Sequence, residues 1–595
     1  MKKTYLLGLA GLALLFVSCN DMLDITPRDK FTNDPAFWNN ENQVQNYTNG
    51  MYTNNFSGYG TGIDDPYFSA LSDDQADPDF RNWTFTTAPG SSGYWSTPYS
   101  EIRRCNYLLD NMANSSLPEA SKAKYSAIAR LMRAYNYYLL VKRYGDVQWL
   151  DHVIMSTEDE LVSGPRDDRD FVMDKVLEDL DYAIANIGSG NKATWSTDLA
   201  QAMKSDICLY EGTYCKYRTA ADNGKGPDAT RAQKYLNECV KASEAIMNGG
   251  YSLTANYGEI YNSLDLSGNS EIIFYRKYVK DMLGHSTVDY TSGSTAQDGI
   301  TKDAIDAFLF LDGKPLATTT MDKSDEPERV PYYMIGLDGK IVKTADGRDS
   351  VRVGSDGSPL WVYSMEEPFS VRDKRLSVIV DKYLAFKGYG HARTWLAEMT
   401  SSTGYTIGKY YTTAMGTTPQ EQLTYCNEIG KGYTDCPIYY LSRILLNYAE
   451  AKAELGNATQ ADLDKSVNLL QVRAGLPGMT LNPEADPANK VGVSNLIWEI
   501  RRARRCELMT DGFRYWDLVR WHMLDKLDTN KYPDIKRGAN LSVVPDCDVD
   551  LDGGYAIPFT ATRTYDKKYY FYPIPTDQIK GSNGGTTQNP GWANN

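Results

Sequence analysis

Asp548, Asp550, Asp552 and Gly553 reproduce the D-x-D-x-D-G opening of a calcium loop, in which alternate carboxylates converge on one hard cation. The bidentate glutamate that closes such a loop should fall at Phe559. The run therefore reads as an acidic surface turn, with a Ca2+ site completed by other ligands as the alternative. Nothing else in the chain asks for a metal or a cofactor. Asp73, Asp74, Asp77 and Asp79 form a second acidic run. A glycoside hydrolase needs two carboxyl groups facing each other at roughly 5 Å or about 6.5–9.5 Å. Sequence alone does not show that separation, and a run this dense reads as a solvated loop, a cap cluster or a site for hydrogen-bonding hydroxyls. No G-x-S-x-G, H-E-x-x-H, Walker A or G-x-G-x-x-G pattern is present. Only four histidines are available for imidazole chemistry. The expectation is a protein that is not an enzyme.

Aromatic residues carry a stronger signal. Tyrosine is used 44 times, against 16 Phe and 11 Trp. Its apolar face and polar tip suit half-wet surfaces that grip polar ligands. Trp83, Tyr290, Trp361, Tyr389 and Trp395 lie in segments rich in Gly, Ser, Thr and Asp, off any helical face. Such rings can stack on the C–H faces of sugars. Asp73, Asp74, Arg81 and Arg393 lie near them in sequence and can hydrogen-bond sugar hydroxyls. These nine residues are the candidate glycan-binding set. Trp95 differs: Tyr99, Ile102, Tyr107 and Leu108 follow it at helical spacing, so it reads as core.

The elements that would position these loops are helices. Tyr125, Ile128, Met132, Tyr135 and Leu139 step by three and four and predict a helix within 121–143, stopped by Gly145. The same stepping predicts helices at 171–187, at 199–214 behind the caps Ser196 and Thr197, and at 235–246. Helices resume at 438–455, 461–474 and 494–509. Roughly 250–435 is irregular, with short β-like runs such as Glu271–Tyr275, and the tail from about 530 reads as loop. The predicted fold is mainly α, stacked helical hairpins of tetratricopeptide-like geometry with one large loop-rich insertion. The scaffold covers about 100–250 and 436–525, the ligand-binding insertion about 250–435, and a loop region about 526–595.

Composition excludes whole classes. With 42% hydrophobic and 23% charged residues among 595, the chain is neither disordered, collagenous nor a multi-span membrane protein. A net charge of −15 argues against nucleic-acid binding, which wants the opposite sign. Lys2, Lys3, the apolar run Tyr5–Val17 and Ser18-Cys19 form a secretory leader too short to span a bilayer. Residues 1–18 are the expected signal peptide. Cys19 is the expected lipidation site, since a cysteine after a small residue resembles a bacterial lipoprotein cleavage point, and residues 19–595 form one domain. Loss of the leader removes two lysines and leaves the chain at −17. Of the remaining eight cysteines, Cys208 and Cys215 are too far apart on a helix to bridge, whereas Cys426 and Cys436 could pair.

Several segments, in chain order, resemble the SusD/RagB family of surface glycan-binding lipoproteins of Bacteroidetes. They are Cys19-Asn20-Asp21-Met22-Leu23-Asp24, Ala129–Tyr135 running on to Arg143-Tyr144-Gly145-Asp146-Val147, and Ile300–Phe308 with Asp312-Gly313. Arg372-Asp373-Lys374-Arg375-Leu376 and Leu445–Ala451 follow, then Val472–Pro477, Asp511–Trp521, Tyr572–Pro575 and Gln588–Gly591. The resemblance implies a SusD-like α/α superhelix anchored by lipid at the outer surface of the outer membrane. It implies capture of oligo- or polysaccharide for a partner SusC-like TonB-dependent transporter, without chemistry. The matching motifs are scaffold: Arg514, Trp516, Asp517 and Arg520 are expected in a buried ion-pair and packing cluster. Peptide capture by the same kind of complex, or a surface glycoside hydrolase, are the alternative readings.

Overall fold

The computed structural model describes residues 35–60, 71–80, 82–154, 163–220, 224–292, 296–387, 389, 391–392, 398–545 and 547–593. Helix α1 spans Glu41–Asn55, α2 Gly93–Asn114, α3 Glu119–Tyr144, α4 Arg169–Asn186, α5 Thr197–Tyr217 and α6 Ala229–Met247. After the insertion come α7 at Leu441–Glu454, α8 at Asn495–Glu507 and α9 at Arg514–Arg520. Each of α2 to α6 packs against the next, α7 packs on α6 and α5, and α8 on α7. That is the stacked-hairpin architecture the periodicity predicts. Ser196, Asp228 and Ser494 cap α5, α6 and α8 by accepting from Leu199, Arg231 and Ile497 N–H, which satisfies donors a helix start leaves open. Gly145 ends α3 at φ 73°, where a side chain would be strained.

The prediction at 438–455 is half corrected. Cys436–Tyr440 is a strand, paired antiparallel with Ile272–Arg276, and the helix starts only at Leu441. Tyr440 and Leu441 continue an apolar run from Ile438, so periodicity alone could not separate the strand from the helix that follows. This strand pair is the neck of the insertion: the chain leaves the scaffold at Arg276 and re-enters opposite it at Cys436. The predicted helix 461–474 is also broken, into Gln460–Asp464 and Val467–Arg473. Two helices at Pro35–Trp38 and Glu41–Asn55 precede the predicted scaffold.

Inside the insertion, Glu328–Pro331, Trp361–Ser364 and Tyr383–Leu384 make a small antiparallel sheet. Between its first two strands the chain turns three times at Asp-Gly pairs, with Gly339, Gly347 and Gly357 at φ 74–82°, the region open to glycine. Met334, Ser350 and Val342 close a ring, each N–H donating to the next carbonyl at 2.8 Å.

Buried ion pairs tie the elements together. Arg133 binds Asp179 between α3 and α4, and Arg169 binds Glu211 between α4 and α5. Arg375, in the insertion, reaches Glu507 on α8 at 2.8 Å. Lys409 reaches Asp511 at 2.6 Å.

Among the described residues no cysteine is bridged to another, Cys426 and Cys436 included, and all but Cys547 are buried. Burial pushes the Cys426 thiol up to about 11. A maleimide applied to native protein lacking Cys19 is expected to modify Cys547 well ahead of the other seven thiols. Peptide mapping that found Cys105 or Cys506 modified as fast would contradict that packing.

Candidate functional site

The nine sequence-predicted residues do not form one cluster. Asp73 and Asp74 are corrected outright. Both are buried, Asp73 in a fork with Arg514 at 2.7 and 2.8 Å, and Asp74 with Arg505 at 2.7 Å. Burial pushes Asp73 up, but the two guanidiniums outweigh it and hold the carboxyl well below the usual range. Buried and held by guanidiniums, neither carboxylate presents an oxygen to a ligand in solvent. Trp83 is corrected as well: it is 5% exposed, stacks on Tyr569 at 4.1 Å and donates its Nε1–H to Thr564 O. It plugs its loop onto the core.

Tyr290 is half-buried and accepts from Asp298 N–H at 3.4 Å. It lies where three segments meet: Gln75–Ala76 pairs with Gly299–Ile300, and Ala296–Gln297 with Thr400–Ser401. Trp361 is 41% exposed with Arg329 over its ring at 4.7 Å. Tyr389 packs on Tyr363 and Phe386 and donates to Pro545 O. Arg81, Arg393, Trp395 and Cys19 lie outside the described residues. In the acidic turn, Asp548 is paired with Lys387 at 2.7 Å and Asp552 with Arg537 at 2.8 Å, across a hairpin at Gly553-Gly554. Two of the three carboxylates are therefore answered by cations rather than aimed at one point.

A two-lobed cleft that the sequence reading missed has better chemistry. The inner lobe, about 430 Å³, lies between α3, α5, the strand Cys436–Tyr440 and α9. The outer lobe, about 610 Å³, opens beside the start of α2. Both share Asn55, Tyr135, Leu139 and Arg143. Consecutive residues of α3 place two cations between aromatic faces. Lys142 Nζ lies 4.4 Å from the Trp516 ring centre and 5.0 Å from that of Tyr138. Arg143 covers Tyr94 at 4.9 Å. Tyr572 touches both Tyr94 and Trp516, so the rings form one continuous wall, which Phe85 extends. Cation–π contacts of this kind are worth about 0.5–2 kcal/mol each.

The other cations in the cleft are matched. Arg443 pairs with Asp206, Asp517 with Arg504 and Arg520, and Asp511 with Lys409. Glu101, in the outer lobe, accepts from the side-chain amides of Asn54, at 2.8 Å, and Asn55 but has no cation partner among the described residues. Trp516, expected in a buried packing cluster, is half-buried at this wall, while Asp517 and Arg520 are buried as the motif implied. The wall is assembled from residues 85–94, 135–143, 512–516 and 572. No local sequence pattern joins them; the nearest signal is that Lys142-Arg143 follows Tyr135, Tyr138 and Leu139 on the same helix.

Family comparison agrees with this architecture. The family model described as "SusD family" matches residues 243–592, and one described as "Starch-binding associating with outer membrane" matches residues 21–198. A SusD-like protein of Bacteroides ovatus is 26% identical over 293 residues, a match spanning 47% of this chain and 50% of that relative. Among solved structures, a SusD-like carbohydrate-binding protein from Bacteroides fragilis superposes with TM-score 0.63 at 20% identity, covering 92% of this chain and 99% of that one. A second SusD-like protein from Bacteroides fragilis gives 0.62 at 22% identity, covering 94% and 98%. A laminarin-binding SusD-like protein gives 0.52 at 19% identity, covering 93% and 100%. With its matched segment covering more than half of the sequence and its hairpin scaffold shared along nearly the whole length, this chain belongs to the SusD family.

Proposed function

We propose that the protein captures oligo- or polysaccharide at the cell surface and delivers it, unaltered, to a SusC-like TonB-dependent transporter in the outer membrane. The observation that carries this reading is the cleft at Lys142 and Trp516. Flat aromatic faces, tyrosine hydroxyls and charged donors line a pre-formed groove, the combination that holds a sugar ring by stacking and hydrogen bonds. A stacked ring adds about 0.5–1.5 kcal/mol and a charge-assisted hydrogen bond about 1.5–3 kcal/mol before the costs of association. Affinity for one chain end is therefore modest, and repeated engagement along a polymer raises it.

Family membership supports the reading, as do the family description that couples starch binding with the outer membrane and the related proteins named for carbohydrate and laminarin binding. The leader and Cys19 support attachment by lipid at the outer surface. Delivery without catalysis fits Asp73 and Asp74 being held by Arg514 and Arg505.

The test is electrophoresis of the chain lacking residues 1–19 through gels carrying plant, host or microbial polysaccharides. Retardation by one glycan class with no product released is the expected result. Release of shortened oligosaccharides would replace capture by hydrolysis. Migration unaffected by every glycan would remove the proposal and move the ligand to peptides.

A further inference from the structure

Resting on that reading, we propose that the cleft at Lys142 and Arg143 selects a saccharide that carries an anionic group, a ring carboxylate or sulfate, and that these two residues are its charge partners. The acidity of the whole chain points the other way, which makes the local arrangement informative. Among the described residues no carboxylate pairs with Lys142 or Arg143, whereas Arg443, Arg504 and Arg520 around the same cleft all have one. Buried or half-buried cations are ordinarily matched, because an unmatched one carries a desolvation cost. Here two such cations are consecutive on α3 and open to the same space.

The surroundings are shaped for a ring that bears the charge. Trp516 and Tyr94 flank the cations, and Tyr94, 44% exposed, is open to the C–H side of a sugar. Two polar atoms in the cleft walls lack partners. Tyr210 is 4% exposed, lines the inner lobe, and its hydroxyl has no hydrogen-bond partner. The Arg143 Nε–H is buried and unanswered. A buried hydroxyl left unsatisfied is costly unless something completes it. An anionic sugar would answer both: its charged oxygens meet Lys142 and Arg143, and a hydroxyl reaches Tyr210. Burial drives Lys142 well below the ordinary lysine range, and a bound anion would raise it again.

The experiment is titration calorimetry of the chain lacking residues 1–19 with three probes: oligogalacturonate for a carboxylate, chondroitin sulfate oligosaccharide for a sulfate, and a neutral glucan. Wild type is compared with Lys142→Met, Lys142→Arg and Arg143→Gln, and each variant is first shown to melt cooperatively. Binding of at least one anionic probe, weakened tenfold or more by Lys142→Met and by Arg143→Gln and largely restored in Lys142→Arg, is the expected result. The carboxylate and sulfate arms then say which anion is preferred. Anionic probes that bind all variants alike overturn the proposal. Binding of the neutral glucan alone overturns it and leaves glycan capture standing, whereas binding of none of the probes, with no gel retardation by any glycan, removes both.

Discussion

Arg520→Met is expected to destabilise the protein by about 3–5 kcal/mol, the usual cost of removing one partner from a buried ion pair. Arg520 is 2% exposed and meets Glu450 through two bonds at 2.5 and 2.8 Å, with Asp517 at 2.8 Å. Glu450 is fully buried on α7 and keeps only the Trp521 indole N–H at 2.6 Å once the guanidinium is gone. Arg504 then faces Asp517 alone, and Glu450 is left without a cation. Methionine fills a similar volume, so the loss reports charge rather than cavity. Urea denaturation followed by circular dichroism measures it, and a deficit below 1 kcal/mol would show that the α7–α9 junction does not depend on this pair.

The same variant has a pH signature. Burial pushes Asp517 up, but Arg504 and Arg520 outweigh it and hold the carboxyl below its ordinary value. A carboxylate with a depressed folded pKa contributes stability above the unfolded value, about 3.9, and loses it as pH falls through the folded value. Without Arg520 that contribution is smaller and protonation of the orphaned carboxylates is favoured. The deficit of Arg520→Met against wild type should therefore be full at pH 7 and narrow towards pH 4.

Arg520 also shows what the sequence made legible. The helices α3 to α6 follow from three-and-four spacing and from caps such as Ser196, which are local signals. The role of Asp517 and Arg520 followed from a family motif. Their partner Glu450 lies 70 positions away on α7, and its fit depends on two helices converging. Ile438–Tyr440, the end of the strand, were read as the start of the helix because the paired strand lies about 165 residues earlier, beyond any window of periodicity. Asp73, Asp74 and Trp83 were misplaced for a related reason. Exposure was inferred from loop composition, yet Asp73 and Trp83 sit in loops that fold inward, because Arg514 and Tyr569 are there to receive them. Lys142 and Trp516 come from a helix and from a family block read as scaffold, and only the tertiary fold opens a cleft between them.

Lys142→Met should have the opposite effect on stability from Arg520→Met, a gain of about 1 kcal/mol, in the range of stabilising changes at sites kept for function. Burial lowers the pKa of Lys142, with Arg143 and Arg443 adding to the shift, so the folded chain holds that proton less tightly than the unfolded chain. Wild-type stability then climbs with pH between the folded value and the unfolded one of about 10.4. Methionine keeps the packing against Trp516 and removes the charge, forfeiting a cation–π contact but also the desolvation cost. Its advantage should be greatest at low pH and fade as pH approaches 10. Thermal melts of both proteins between pH 5 and pH 10 measure this, and a variant less stable than wild type throughout would mark Lys142 as a structural residue. A substitution that raises stability while lowering affinity for an anionic sugar is what a binding lysine predicts. A scaffold lysine, whose loss removes support without touching a ligand, predicts the reverse on stability and no change in binding.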